Sequence, residues 1–584
     1  MGRKIKNRDI DGSGDRLIDE SSLTSSSERW LRMAQLFLYV LGLSSSLLAQ
    51  GRPAAELIVT NAKVWTCDKA QPAAEALAVV GGRIVAVGSA AEIDQWRGAR
   101  TNVVDGRGKL LVPGFNDAHV HFFSGGSELD NADLKRTRSP EEFANLIGGR
   151  ARARPGEWIL GGNWDDQNWS PARLPTKEMI DTVTSDTPVF VSRYDGHMAL
   201  ANSLALQKAG VTSSTKSPAG GEIVRDAAGN PTGLLKDAAM SLVMRVVPPL
   251  SREQRLRTLR RALRHAAELG VTSIQDMGTA PEEFALLAEL AERGELTVRV
   301  YAAAPIGRWE DQAKLGLRRA FGSDWLRTGT LKGYADGSLG SSTAYFFEPF
   351  LDAPGKRGLL SDEMHPPQLM RERMRKADAA GLQLCIHAIG DQANSIILDM
   401  FAQVVKANGE RDRRLRIEHA QHMAAKDFTR YAQQKVIASV QPYHAIDDGR
   451  WAEKRIGDRI KTTYAFRTFL DSGVRLALGT DWPVAALNPL ETIYAAVTRA
   501  TLDGKNPEGW VPEQKISITE ALEAYTAGSA FAEFQEGDKG SIAPGKLADF
   551  VLLSDDIFTI PPVAIRDVKV LMTVVDGKVV WDKQ

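Results

Sequence analysis

Cysteine is almost missing from this 584-residue chain: Cys67 and Cys385 are the only two. That excludes a disulfide framework, so stability has to come from a hydrophobic core and any bound metal. Net charge is missing as well, with 73 Lys and Arg standing against 73 Asp and Glu. A balanced chain with no Lys/Arg-rich block leaves no electrostatic footprint for nucleic acid, and that partner is set aside. The apolar run from Leu36 to Leu43 is too short to cross a bilayer, so no stable membrane span is expected. Histidine is scarce too, at nine residues, and one close pair among so few can arise by accident. Against these absences stand the length and a 43% hydrophobic fraction, enough for a large core in more than one domain.

Residues 1–53 differ in character from the rest. A polar, Ser-rich and charged start leads to Arg29 and Arg32, the apolar run to Leu43, and then Ser44 to Gln50. This is similar to a secretory signal with cleavage near Ala49 or Gln50, translation from Met33 accounting for the long polar start. The alternative is a disordered tail with an uncleaved anchor. Export to a periplasmic or extracellular space is the expectation.

The next segment, 54–110, reads as short Val- and Ile-rich strands with a Gly81-Gly82 hairpin turn, and 540–584 has the same texture around Asp576-Gly577. Neither segment can bury a core alone, so together they are expected to form one small discontinuous β-sandwich. Between them, at 111–539, strands alternate with helices. Leu110 to Val112 with the break at Pro113-Gly114 reads as strand one, leading to His119 and His121. Further strands are expected at 271–275, 296–303, 330–335, 382–387, 415–419, 436–441 and 474–479. Eight such units favour an α/β fold with a closed parallel (β/α)8, TIM-like barrel, whose reactive groups sit at the C-terminal strand ends. The stretch 123–250 reads as a long irregular insertion leaving strand one on that face, with strands only at 158–161 and 188–192.

The barrel makes a demand that the sequence meets. His119 and His121 lie two apart in an extended segment and share a face, so one metal can be held from one strand end. Strand four contains Lys332, strand five ends in His387, strand six in His419 and strand eight in Asp481. Neutral imidazole with carboxylate suits zinc, and two metals close together need a bridging anion.

The set P-G-F-x-D-x-H-x-H, the strand-four Lys, two later His and the strand-eight Asp resembles the amidohydrolase superfamily. The motifs Y-D-G-H-M-A-L-A-N-S-L-A-L, L-K-G-Y-A-D-G-S-L-G-S, H-A-I-G-D, G-T-D-W-P-V and G-S-I-A-P-G-K-L-A-D resemble its amidohydrolase-3 branch, which includes N-substituted formamide deformylase. The resemblance implies that His119, His121 and Asp481 hold one divalent metal and His387 and His419 a second. It also implies a carbon dioxide-derived carbamate on Lys332 bridging the two. The other reading is a single metal beside a Lys332 ammonium paired with Asp336. Asp481 is in addition the candidate to take a proton from the attacking water and pass it to the leaving nitrogen, the alternative being a ligand only or a helix cap before Pro483.

Other residues have two readings each. His197 resembles a substrate-pocket residue of the branch, or is a structural turn histidine. Gln441 and His444 are candidates for substrate contact, with rim polarity the alternative for them and for His422. Asp276 and Glu418 are placed to orient ligand imidazoles. His265 and His365 read as surface residues, and Cys385 as packing one layer below His387. Trp164, Trp169 and Tyr194 read as insertion core, or as an apolar pocket wall.

The expected activity is hydrolysis of a non-peptide C–N bond in a small-molecule N-acyl or N-formyl amine by metal-activated water. Ester, lactone or cyclic amide hydrolysis is the alternative on the same centre, and a non-catalytic metal-binding barrel the one from another class. Strand six lacks the His-x-x-Glu pattern expected of a deaminase. Self-association into a homo-oligomer is left open.

Overall fold

The computed structural model describes residues 53–129, 134–193, 198–218, 221–340 and 342–583. The expected leader, except Pro53, lies outside the described residues, as do Tyr194 and His197. Among the described residues no helix is long and apolar enough to cross a membrane.

The terminal segments form two sheets. The first joins Leu57–Thr60, Ala76–Val80, Arg83–Gly88 and Asn102–Asp105. The second takes Lys63–Trp65, Ala73–Ala74 and Leu110–Pro113 from one end of the chain, and Phe550–Leu553, Val570–Val575 and Lys578–Asp582 from the other. Leu110–Pro113 is therefore not barrel strand one. It pairs antiparallel with Phe550–Leu553, and strict alternation divides its side chains between two cores. Leu111, Phe550 and Leu552 point into the sandwich, whereas Leu110, Val112, Val551 and Leu553 pack against the barrel. The chain crosses to the barrel at Gly114, where a Cβ would stand 2.1 Å from the Thr272 hydroxyl.

The barrel strands are β1 (Phe115–Val120), β2 (Val271–Met277), β3 (Arg299–Pro305), β4 (Leu326–Tyr334), β5 (Gln383–Ala388), β6 (Arg416–His419), β7 (Ile437–Val440) and β8 (Leu476–Leu478). They are parallel and adjacent in chain order. The later expected strands are all present, with ends shifted by a few residues, and the first lies beyond the Pro113-Gly114 break, at Phe115–Val120. Closure between β1 and β8 comes from a parallel bridge at Val120 and Trp482, with Asp481 N–H donating to the His119 carbonyl at 2.7 Å and His121 N–H to the Trp482 carbonyl at 2.8 Å. Asp117 supplements it, accepting from the Thr480 hydroxyl at 2.8 Å and the Tyr525 hydroxyl at 2.7 Å.

The insertion departs from the expectation of an irregular region. It builds a five-stranded sheet in the order Gly221–Arg225, Pro231–Asp237, Met198–Ala201, Val189–Arg193 and Ile159–Trp164. Its own core gathers Phe143, Ile147, Trp164, Trp169, Val189, Val191, Leu200 and Leu234. Trp164 and Trp169 are buried there, their indole N–H groups donating to the Val191 carbonyl and the Thr137 hydroxyl, as insertion core. Short strands broken by glycines such as Gly161, Gly162 and Gly233, all at positive φ, blur the two-residue period that marks a strand.

Candidate metal centre

The C-terminal ends of β1, β4, β5, β6 and β8 bring the expected residues together. His119 lies inside β1 and is fully buried; His121 stands one residue past the strand end, where the helix α1 (Phe122–Glu128) begins. Asp276 at the end of β2 fixes that turn by accepting the Phe122 N–H at 2.8 Å and the Thr279 hydroxyl at 2.6 Å. It thus orients a backbone segment, not an imidazole as expected. Asp481 follows β8 on left-handed backbone (φ 62°), and His419 ends β6 likewise (φ 75°). Such backbone costs about 1–3 kcal/mol per residue and persists where the surroundings over-determine it. Gly479 lets β8 approach: a Cβ there would sit 2.6 Å from the His119 backbone nitrogen.

Hydrogen bonds set which ring nitrogen of each imidazole faces the centre. His119 Nδ1 donates to Glu418 Oε2 at 2.7 Å, His419 Nδ1 to Gln441 Oε1 at 2.8 Å, and His387 Nε2 to the Gly337 carbonyl at 3.1 Å. The opposite nitrogen of each keeps its lone pair. Burial, joined by the Lys332 charge, holds His119 down at about 4 and His387 at about 3, so both rings are neutral. Glu418 is itself held by Arg416, whose Nε lies 2.9 Å from Oε1. Arg416 in turn spans the barrel interior to the Ala118 carbonyl at 2.8 Å, Ser439 Oγ at 3.1 Å and Gln275. Gln441, expected at the substrate, spends its carbonyl on His419.

Asp481 Oδ1 lies 3.5 Å from His119 Nε2 and 3.3 Å from His121 Nε2, is buried, and has no hydrogen-bond partner. A carboxylate oxygen facing the lone pair of His119 Nε2 repels it unless a cation sits between them. The residues present therefore fit a divalent metal, and His119, His121 and Asp481 have the spacing to hold one. His419, His444 and Asp481 form a second such group. Against burial, which alone would raise it, the facing histidines hold the Asp481 carboxyl well below the usual range.

Lys332 is buried on β4, its Nζ 3.1 Å from His119 Nε2 and 4.8 Å from the centre of the Tyr334 ring. Burial pushes its amine below the ordinary value, although Glu418 and Asp481 pull the other way. Asp336 is not its partner: that carboxylate accepts the backbone N–H groups of Ile389 at 2.9 Å, Gly390 at 2.8 Å and Tyr345 at 2.7 Å. Tyr334 covers Lys332 and lies against His387, the ring centres 5.3 Å apart. Sequence reading missed Tyr334 and Arg416, although each lies two residues from a named site residue on one strand face.

The remaining histidines separate. His444, in the helix α2 (Pro442–Asp448), reaches the centre with Nε2 3.8 Å from Asp481 Oδ2. His422 does not reach it: Nδ1 bonds the Thr463 hydroxyl at 2.8 Å and the ring packs on Phe346. His265, expected at the surface, is part-exposed there, its Nδ1 3.9 Å from Glu268 and its ring centre 5.7 Å from that of Trp482. His365 is exposed. Cys385 is buried below His387, 3.0 Å from the Thr330 hydroxyl.

Residues 102–581 match the model of the amidohydrolase family. The chain is 42% identical over 516 residues to protein LONG AFTER FAR-RED 3 of Arabidopsis thaliana, covering 86% of this chain and 87% of that one. It is 28% identical over 548 residues to N-substituted formamide deformylase of Arthrobacter pascens, covering 90% and 98%. Among solved structures, an uncharacterized metal-dependent hydrolase from Pyrococcus horikoshii OT3 superposes with a TM-score of 0.73 at 27% identity, covering 87% of this chain and 99% of that one. The carboxylate oxygen left without a hydrogen bond among imidazoles thus has its explanation in descent: the chain belongs to the amidohydrolase family, whose metal-dependent hydrolases share its barrel.

Proposed function

We propose that the chain hydrolyses the C–N bond of N-acyl or N-formyl amines, with Asp481 moving the proton. The observation that carries this is the buried, unpartnered Oδ1 of Asp481 beside two imidazoles. The formamide deformylase relative supports the acyl class.

His119, His121 and Asp481 would hold one ion and His387 and His419 another, zinc being the metal that best suits neutral imidazole and carboxylate. When bound, such ions polarise a carbonyl and acidify water. Lys332 would supply the anion they need: its amine, which burial drives toward neutrality, can add to carbon dioxide, the new N–C bond replacing one C–O π bond and one proton passing to solvent, to leave a carbamate. In turnover the carbonyl carbon gains a bond to a water oxygen while Asp481 accepts the water proton. As the C–N bond breaks, Asp481 returns that proton to the nitrogen, giving a carboxylic acid and a free amine. Glu418 and Gln441 keep His119 and His419 in the tautomers that leave a lone pair toward the ions.

The test is a screen of the zinc-loaded protein against N-formyl amines, N-acyl amines, esters, lactones and cyclic amides, reading amine or acid release. Amine release from acyclic N-acyl substrates, abolished in Asp481→Asn, is expected. Turnover of esters, lactones or cyclic amides alone overturns the acyl-amine assignment.

A further inference from the structure

Every imidazole that hydrogen bonds fix at this centre has one nitrogen held by a neighbour, but the holding atom is not the same in each. For His119, His419 and His387 it is an oxygen, of Glu418, Gln441 and Gly337, so the held nitrogen carries the hydrogen. For His444 it is the side-chain amide nitrogen of Gln421, 3.3 Å from Nδ1. With the Gln421 amide turned this way its nitrogen donates, Nδ1 accepts, and the ring hydrogen is placed on Nε2. That Nε2 is buried without a partner and faces Asp481 Oδ2 across 3.8 Å. The ring lies nearly parallel to that of His419, 15° between planes and 6.3 Å between centres. Its backbone is fixed too, the His444 N–H donating to the Gln441 carbonyl at 3.1 Å.

We propose that His444 is a catalytic hydrogen-bond donor, its Nε2–H directed at the carbonyl oxygen of the substrate, and that Gln421 is the positioning residue that fixes this tautomer. Distance alone groups His444 with His419 and Asp481 as a possible ligand set, yet a nitrogen that bears hydrogen has no lone pair for a metal. It has instead what a carbonyl oxygen needs as negative charge develops on it. The proposal rests on the acyl-hydrolase reading for its substrate, and on the hydrogen-bond pattern alone for the donor.

The test uses the zinc-loaded protein. Histidine-selective 15N labelling reads the tautomer, the His444 signals being assigned by their loss in His444→Gln. A protonated Nε2 is expected, and a bare Nε2 overturns the proposal. With the best N-acyl amine from the screen, His444→Ala should lower kcat roughly 10²–10³-fold, the usual cost of one such donor, with zinc content unchanged. His444→Gln, which returns an N–H near the same place, should recover most of the loss. Gln421→Glu presents an oxygen to Nδ1 and moves the hydrogen there, so kcat should fall as far as in His444→Ala although His444 is intact. Loss of zinc in His444→Ala would make the residue a ligand and overturn the proposal, as would an unchanged kcat in both His444→Ala and Gln421→Glu. Failure of the wild-type protein to release amine from any N-acyl substrate would instead remove the acyl-hydrolase reading, while tautomer and zinc content still decide between donor and ligand.

Discussion

Glu418 and Arg416 decide how well His119 can serve as a ligand. The Glu418 carboxylate is fully buried and meets Arg416 on one side and His119 on the other. Although burial pushes its pKa up, Arg416 and His119 bring it down to about 2. Glu418→Gln keeps an oxygen for His119 Nδ1 but removes the charge that makes the imidazole a better donor of its lone pair. Metal affinity should fall roughly 10–100-fold, measured by competition with a chelator. Unchanged affinity would show that Glu418 only fills the core. The Arg416 guanidinium is left buried without its carboxylate in this variant, so the melting temperature should fall as well. The sequence made His119, His387, His419 and Asp481 readable because strand ends in a barrel converge. It could not show which nitrogen of His387, His419 or His444 faces inward, since that depends on Gly337, Gln441 and Gln421, contacts that a one-dimensional period does not encode.

Strands four and five are joined at their C-terminal ends by one side chain. Asp336 accepts three backbone N–H groups, two of them from Ile389 and Gly390 just past His387. Asp336→Asn replaces one acceptor oxygen by an NH2 group that faces backbone donors. The cost should be about 1–3 kcal/mol, read as a lower midpoint in chemical denaturation, with His387 displaced and metal bound more weakly. Full stability in Asp336→Asn would contradict this role. From the sequence Asp336 offered a counter-ion for Lys332, since it follows closely in the same L-K-G-Y-A-D-G motif. The geometry of the turn after β5, which consumes the carboxylate, is a tertiary contact and leaves no local trace. In the insertion two strands were readable, at 158–161 and 188–192, and the other three were not: they are short, and a glycine such as Gly233 interrupts the alternation by which β-strands are recognised.

The barrel and the terminal sandwich are held together by a buried ion pair as well as by the alternating faces of Leu110–Pro113 and Phe550–Leu553. Arg299, at the start of β3, donates to both oxygens of Asp549, at 2.6 Å and 2.9 Å, and Asp549 also accepts the Asp576 N–H. Asp549→Ala removes the two short bonds and leaves the buried guanidinium only the Asp576 carboxylate at 3.5 Å and the Asp324 carbonyl at 3.2 Å, at a cost of about 3 kcal/mol. A lowered unfolding midpoint with soluble aggregates is expected in size-exclusion chromatography, and a wild-type profile would contradict it. The pairing of chain ends was readable because neither β segment can bury a core alone. We propose from the sequence that residues up to about Ala49 are a removed export signal. N-terminal sequencing of protein from its native host should then begin between Ala49 and Ala54, and an intact Met1 or Met33 would refute it.

Metal counted per chain in Lys332→Ala bears most directly on the centre as a whole. If Lys332 carries the bridging carbamate, the wild-type protein should hold about two ions. The variant should lose most of them, because two cations without an anion between them repel in a low-dielectric site. Formate or acetate in the buffer should restore part of the metal and part of the turnover by taking the place of the carbamate. Full metal content in Lys332→Ala without added carboxylate would contradict the bridged centre.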